Sequence, residues 1–431
     1  MNTYNNIQIG RFVCNFITSD NNKSSLDTIK KLSVKDWNKL QQFLINNKLV
    51  PLFYSKLIQL NQHSKKGSRT LSPKYITQDL QKKYLYYSSE FIRYRHTLKT
   101  ILKEFSTHNI DTIVLKGAFI TEKYYDNPVL RPMDDIDILV KDEDIKKASE
   151  IILKEGYSSN KTHDLNHYHK FYKHLPIFTA NGKPSIELHL KLHAPMSFMK
   201  TGISIEDVWS LAIPSSLCGE KCLCMLSEEL ILHLCSHALE NSFRQELIHL
   251  YDIVLIIESS KVCWKSLFKK AEKYKLTKTV FSTLYCIDKY FNLAIPELIF
   301  SKYKPNDFDL TLELNLETNL FSDNSLSETN LNTHKKHRVI TEILSQAETK
   351  TGLEKIKYLI NEFFSYEKLD FHYNIKYKSG IMYYYYLKRS IDLLRKYSKE
   401  FIILSLLKNN IKSYLIKEQS KIISLENWLI K

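Results

Sequence analysis

The hydrophobic period of this chain changes twice, and those changes bound its fold. Up to Asn109, apolar residues recur three and four apart. Trp37, Leu40, Phe43 and Leu44 do so between Asp36 and Leu49, and Pro51 follows. Leu85, Phe91, Tyr94, Leu98, Ile101, Leu102 and Phe105 do so between Leu80 and Asn109. That is the period of an amphipathic helix. From Thr112 the runs become short and β-branched or alternating, the mark of strands. Thr112–Leu115 reads as one strand and Asp135–Val140 as a second. Phe171–Thr179 and Ser185–Leu192 flank the turn dipeptide Asn181-Gly182. Helices are expected at Ala118–Tyr125 and from Asp142, as cap, to Lys154 or Glu155. From Ser227 the helical period returns, with Ser227 as an N-cap and Glu228 and Glu229 in the first turn. The expected fold class is α+β, a small mixed-sheet core flanked by helical regions. Its boundaries fall at 1–110 (N-terminal helices), 111–195 (α/β core), 196–310 (a helical domain completing the cleft), 311–340 (a flexible linker) and 341–431 (basic C-terminal helices).

Glycine is scarce, nine residues in 431, and no two are spaced as G-x-G-x-x-G or G-x-x-x-x-G-K-[ST]. The dinucleotide fingerprint and the P-loop are therefore excluded, because both need clustered glycines to bring backbone N–H groups onto phosphate. Lys and Arg outnumber Asp and Glu by 62 to 47. A basic surface suits phosphate-bearing partners; codon bias toward Lys, Asn, Ile and Tyr is the bland source of the same excess. The seven cysteines are odd in number and scattered, which points to a reducing cytoplasm. No apolar run is long enough to span a membrane.

One constellation carries chemistry. Side chains alternate along a strand, so Asp135 and Asp137 share one face of DIDILV while Ile136 and Ile138 share the other. Adjacent carboxylates repel, and a divalent cation is the usual remedy. In SIELHL, Glu187 and His189 share a face. Were this strand to pair beside Asp135–Val140, Glu187 would become a third carboxylate, and three acids on adjacent strands can hold two metals for in-line phosphoryl transfer. Gly117 stands where a strand gives way to a helix, a place where phosphate can approach the backbone. Lys116 and Arg131 supply cationic donors. On this reading Gly117 touches substrate, and Gly117→Val harms triphosphate binding more than folding.

These residues resemble the DNA polymerase beta-like nucleotidyltransferase superfamily. They come closest to its bacterial uncharacterised nucleotidyltransferase family, through Leu115-Lys116-Gly117, Arg131 to Val140 and Ile186-Glu187-Leu188-His189. The likeness extends to a later helical segment containing His237 and Asp252. The resemblance implies Mg²⁺- or Mn²⁺-dependent transfer of a nucleoside monophosphate from a triphosphate, ATP for preference. The acceptor is a hydroxyl of a small molecule, peptide or protein, and pyrophosphate is released. It implies Asp135, Asp137 and Glu187 as catalytic metal ligands, with Lys116, Gly117, Arg131, His189 and His237 around the nucleotide. Ala118 stands where the superfamily carries a second Gly or Ser, and the third acid is Glu instead of Asp. The alternative is an inactive member serving as a nucleic-acid-binding or adapter module. No membrane partner is expected and nucleic acid is not favoured. Asp134 is expected as a loop carboxylate beside the site.

Three further features read as structural. Cys218, Cys222, Cys224 and Cys235 match no zinc spacing and read as buried thiols. His163, His167, His169 and His174 read as a solvated loop, with acceptor or phosphate contact as the alternative. Tyr383–Tyr386, beside Lys388 and Arg389, read as a packed helix with a wet rim.

Overall fold

A computed structural model describes residues 4–19, 23–63, 71–160, 164–193, 202–322, 351–373, 375, 382–406, 421–422 and 424–430. Five helices come first: α1 (Asn6–Thr18), α2 (Lys23–Lys31), α3 (Val34–Asn46), α4 (Val50–His63) and α5 (Lys74–Thr107). Two of them begin with reciprocal caps. Asn5 exchanges bonds with Gln8 at α1, and Ser33 does so with Asp36 at α3. The second half of α5 buries Tyr94, Leu98, Ile101, Leu102 and Phe105, which is the apolar stripe visible in the sequence.

The chain then builds β1 (Thr112–Val114), α6 (Lys116–Tyr124), β2 (Asp135–Val140), α7 (Ile145–Lys154), β3 (Ser158–Ser159), α8 (Leu165–Phe171), β4 (Phe178–Thr179) and β5 (Ser185–His189). After these come α9 (Ile205–Leu211), β6 (Ile213–Leu217) and β7 (Glu220–Cys224). Among the described residues the strands form one sheet in the order β3-β4-β5-β2-β1-β7-β6. It is mixed: β2 runs parallel to β5 and antiparallel to β1, and β1 runs parallel to β7. The molecule is thus α+β, mostly helical around a mixed sheet. Ile136, Ile138, Ile186 and Leu188 are fully buried beneath the central strands. The helices α10 (Ser227–Glu240), α11 (Ile248–Ser259), α12 (Trp264–Lys273), α13 (Thr277–Phe291), α14 (Glu297–Tyr303) and α15 (Leu310–Leu320) follow. Among the described residues, no helix is long and apolar enough to cross a membrane.

Several local expectations shift. Most of Phe171–Thr179 is not strand. Phe171 ends α8, Pro176 interrupts the run, and only Phe178 and Thr179 form a strand, with His174 adding an isolated bridge to His189. Ser227 is the first residue of α10 and Leu226 its cap, without a side-chain bond. Glu228 instead accepts from the Cys263 N–H at 2.7 Å. Asp142 opens a 3₁₀ turn ahead of α7, whose cap is Asp144, without a side-chain bond. The first part of the expected linker is helix α15, because Asp309 caps it through the Leu312 N–H at 2.8 Å and Leu316 and Leu320 are buried. Residues 323–340 lie outside the described residues.

Contacts divide the chain into two compact units. The first comprises Met1–Thr162, Tyr172–Ser325 and Leu429–Lys431, so the sheet and α9–α15 belong to one body. The second comprises His163–Phe171 and Leu326–Trp428. Within the second, Tyr383 is 84 % and Tyr384 55 % exposed, while Tyr385 lies 5.5 Å from Tyr373 and Tyr386 6.2 Å from Phe364. The tyrosine run is therefore half packed and half wet. His167 is buried against Phe171, and His163 lies outside the described residues.

Candidate active site

The parallel pairing of β2 with β5 places the acids. Asp137 stands directly opposite Glu187 in the register, Asp135 opposite Ser185, and Leu139 opposite His189. Alternation sends Asp135, Asp137, Glu187 and His189 to one face of the sheet and the isoleucines to the other. Asp137 and His189 are buried, while Asp135 and Glu187 are partly open. The Nε2 of His189 lies 2.7 Å from Asp137 Oδ1 and 3.3 Å from Glu187 Oε2. Ligand atoms of Asp137, Glu187 and His189 all fall within 4.8 Å of one another, close enough to share a metal ion.

β1 delivers the cation. Leu115 still bonds its N–H to the Asp137 carbonyl at 3.0 Å. The chain then breaks from the strand at Lys116, whose φ is +43°, and α6 begins. This left-handed turn sends Lys116 Nζ to within 3.3 Å of Asp137 Oδ1.

The charges do not balance. Burial, then the nearby charges of Asp137 and Glu187, push the Asp135 carboxyl up to about 7. Burial alone would raise Asp137 too, but Lys116 and His189 hold it well below the usual carboxylate range. At Glu187 burial is likewise outweighed, by His189 and His174. Burial disfavours the Lys116 ammonium, yet Asp137, Asp135 and Glu187 keep its pKa above the ordinary value.

Two further groups stand at this site: Lys173, which sequence reasoning did not single out, and His174, which it marked only within a histidine-rich stretch. Leu175 N–H bonds to the Leu188 carbonyl at 2.9 Å, and Leu190 N–H bonds to the Lys173 carbonyl at 2.8 Å. The segment 173–175 is thereby held beside β5. His174, expected in a solvated loop, places Nε2 3.6 Å from Glu187 Oε2. Lys173 Nζ lies 4.0 Å from Glu240 on α10, and its charge helps to lower Asp137. No local period marks either residue, so long-range backbone pairing alone reveals them.

Arg131 has a different place from the expected one. It is 4 % exposed and bound two-pronged to Asp252 on α11, Nε to Oδ1 at 2.9 Å and Nη2 to Oδ2 at 2.8 Å. Tyr125 donates its hydroxyl to the same carboxylate at 2.9 Å. The guanidinium is thus occupied by protein and is not free for phosphate. Gly117 belongs to this knot as well. A Cβ on it would stand 2.4 Å from Arg131 Nη1, so glycine here permits close approach of α6 to a pinned guanidinium. Gly117→Val, expected to harm triphosphate binding more than folding, therefore meets a packing cost at this knot as well. His237 bonds through Nδ1 to Gln245 at 3.0 Å and lies edge-on to His249. Burial, then the Lys116 charge, keep it neutral. Asp134 is exposed and pairs with Lys48. Cys222, Cys224 and Cys235 are buried free thiols, and Cys218 is a partly buried one.

A mixed sheet with paired carboxylates on one strand and a third on its parallel neighbour defines a nucleotidyltransferase-type core. The model of one family, the uncharacterised nucleotidyltransferases, matches residues 33–292. The chain belongs to that family. No curated protein shows a significant match. Among solved structures, an antigenic nucleotidyltransferase-like protein from Paracoccidioides brasiliensis is similar at 15 % identity. The match covers 44 % of this chain and 92 % of that one, with a TM-score of 0.25.

Proposed function

We propose that the protein transfers a nucleoside monophosphate from a nucleoside triphosphate, ATP for preference, to a hydroxyl of a small-molecule, peptide or protein acceptor. The observation that carries this reading is the register of β2 and β5, which sets Asp137 opposite Glu187 with Asp135 on the same face. In the reaction the acceptor oxygen bonds to the α-phosphorus, the α–β bridge bond breaks, and pyrophosphate leaves. Asp135, Asp137 and Glu187 would hold divalent metal, Mg²⁺ or Mn²⁺. Their oxygens and the adjoining His189 nitrogen form a donor set that fits one. Such an ion, when bound, offsets charge on the phosphates. Lys116 is the cation fixed nearest the acids and stands ready for a phosphate oxygen. Lys173 takes the second cationic place, since Arg131 is engaged. Glu187, held ionised by its histidines, accepts the proton of the acceptor hydroxyl.

The test is mass spectrometry of protein incubated with Mg²⁺ or Mn²⁺, each triphosphate in turn, and a panel of hydroxyl acceptors including the protein itself. Wild type should form a nucleotidylated product, and the Asp135→Asn/Asp137→Asn double variant should lose roughly a thousandfold in rate or more. Identical products from both proteins would sink the proposal. An inactive nucleic-acid adapter would show no product and would bind RNA or DNA with steep salt dependence, unaffected by the double variant.

A further inference from the structure

Lys173 reaches the acid cluster from a segment without a helix or strand of its own, so its ammonium must be aimed from elsewhere. A lysine stem is flexible, and the acids are close: the next residue, His174, lies 3.6 Å from Glu187. Yet among the described residues the ammonium pairs with none of Asp135, Asp137 and Glu187. Its partner is Glu240, the last residue of α10, with Nζ 4.0 Å from Oε2.

Glu240 is itself held. Its other oxygen, Oε1, lies 3.0 Å from His193 Nδ1. A carboxylate only accepts, so the imidazole donates from Nδ1. His193 Nε2 stands 3.3 Å from the hydroxyl of Ser236, one turn before Glu240, and Ser236 donates to the His233 carbonyl at 2.7 Å. This chain of contacts runs outward from the core. Ser236 is fully buried, and the side chains of His193, Glu240 and Lys173 are 7 %, 17 % and 22 % exposed. Its inner end is rigid, since Ser236 and Glu240 share one face of α10. Burial opposes ionisation of Glu240, but the bond from His193 and the nearby charges of Lys173 and Lys116 hold its carboxyl below the ordinary value. Oε1 takes the imidazole, which leaves Oε2 for the ammonium.

We propose that Glu240 is a positioning residue: oriented by His193, it holds the Lys173 ammonium at the rim of the acid cluster and off the carboxylates, where it meets the phosphates of a bound triphosphate. The inference rests on the proposed phosphate site and adds a residue of α10 that acts on it through Lys173. Without Glu240 the stem swings and the ammonium pairs with Asp137 or Glu187. The cluster then loses part of its surplus charge and its second phosphate contact together. A carboxylate beside bound phosphate is otherwise repulsive, so a direct role for Glu240 and a role through Lys173 predict opposite signs.

The experiment is a double-mutant cycle on the full chain. It is read by calorimetric titration with Mg²⁺ and either ATP or inorganic tripolyphosphate, and by transfer kinetics where product forms. Lys173→Met should weaken binding about tenfold, as for a lost charge-assisted bond. Glu240→Gln should weaken it about threefold or more, with the loss in KM more than in kcat, and should add nothing in the Lys173→Met background. His193→Gln, which loosens the same carboxylate without removing it, should show a smaller loss and carries the test if Glu240→Gln does not fold. Tighter or unchanged binding in folded Glu240→Gln overturns the proposal, as do losses that multiply in the double variant. Coupled losses without any nucleotidylated product would defeat the transfer reading alone. Product formation with an unchanged KM in Glu240→Gln would defeat this inference alone. A wild type that binds neither probe would defeat both.

Discussion

Two buried charge clusters stand a few residues apart in this molecule, and they are built on opposite terms. Around Asp252 the accounts are closed by protein. The carboxylate takes three bonds from Arg131, two from Nε and one from Nη2, and one from Tyr125, and Arg131 donates once more to the Pro132 carbonyl at 3.3 Å. Although burial opposes ionisation, Arg131 and His249 hold Asp252 down to about 2. Around Asp135, Asp137 and Glu187, three carboxylates face Lys116, and one of them is pushed up to about 7. A closed cluster fixes structure, and a cluster with surplus charge of one sign is waiting for a ligand. The first joins the loop after α6 to α11. The second stands on the sheet with its acids partly open.

The largest effect expected from this contrast is at the closed cluster. Asp252→Ala strands a guanidinium in the interior, and breaking such a pair costs about 3–5 kcal/mol. Chemical denaturation should show this loss. The double variant Arg131→Met/Asp252→Leu should recover a large part of it, because neither charge is then left alone. If Asp252→Ala is as stable as wild type but loses triphosphate affinity, the two clusters are one site and the contrast breaks.

Gly117 sharpens the boundary between them. Gly117→Ala places a methyl against the Arg131 guanidinium, and overpacking of this kind costs about 1–3 kcal/mol. Stability should fall in a denaturant titration, with activity falling only as far as the folded fraction does. A raised KM for triphosphate at unchanged stability would return Gly117 to the substrate side, where its sequence context placed it.

That reversal shows what a sequence can and cannot disclose. Asp135–Val140 was legible as a strand to the residue, because alternation is a local property and Ile136 and Ile138 must be buried. The partnership of Glu187 with Asp137 followed from the same alternation once the two strands were set side by side. Arg131 was legible only as a cation near the acids. Its partner lies 121 residues away, and nothing local tells a guanidinium in water from one locked to a distant carboxylate. His174 was read by default as a loop residue for a related reason. Its segment has no period of its own, and it is positioned by bonds to Leu188 and Leu190 across a loop. The segment 171–175 looked like strand because it is aromatic and apolar, yet the helix ending at Phe171 and the proline at 176 leave room for a backbone bridge alone.

The smallest expected effect has the opposite sign to the others and so tests the comparison most directly. Asp135 is an acid whose folded pKa is raised to about 7 from 3.8. Its ionisation therefore weakens the metal-free fold, increasingly as pH rises from about 4 to about 7. Asp135→Asn, which keeps the shape without the charge, should be more stable than wild type at pH 8, by on the order of 1–2 kcal/mol. The advantage should shrink as pH falls and vanish below about 4, where both folded and unfolded wild type are protonated. Asp252 runs the other way. Its depressed pKa contributes stability above about 4 that is lost as pH falls toward 2. Denaturation profiles of chelator-treated wild type and Asp135→Asn across pH 3–8 read the difference, and added Mn²⁺ should reverse its sign at pH 8 by binding the wild-type fold alone with full strength. If Asp135→Asn instead destabilises the metal-free protein at pH 8, protein partners already answer the charge of Asp135. The cluster on β2 and β5 would then be closed like the one at Asp252.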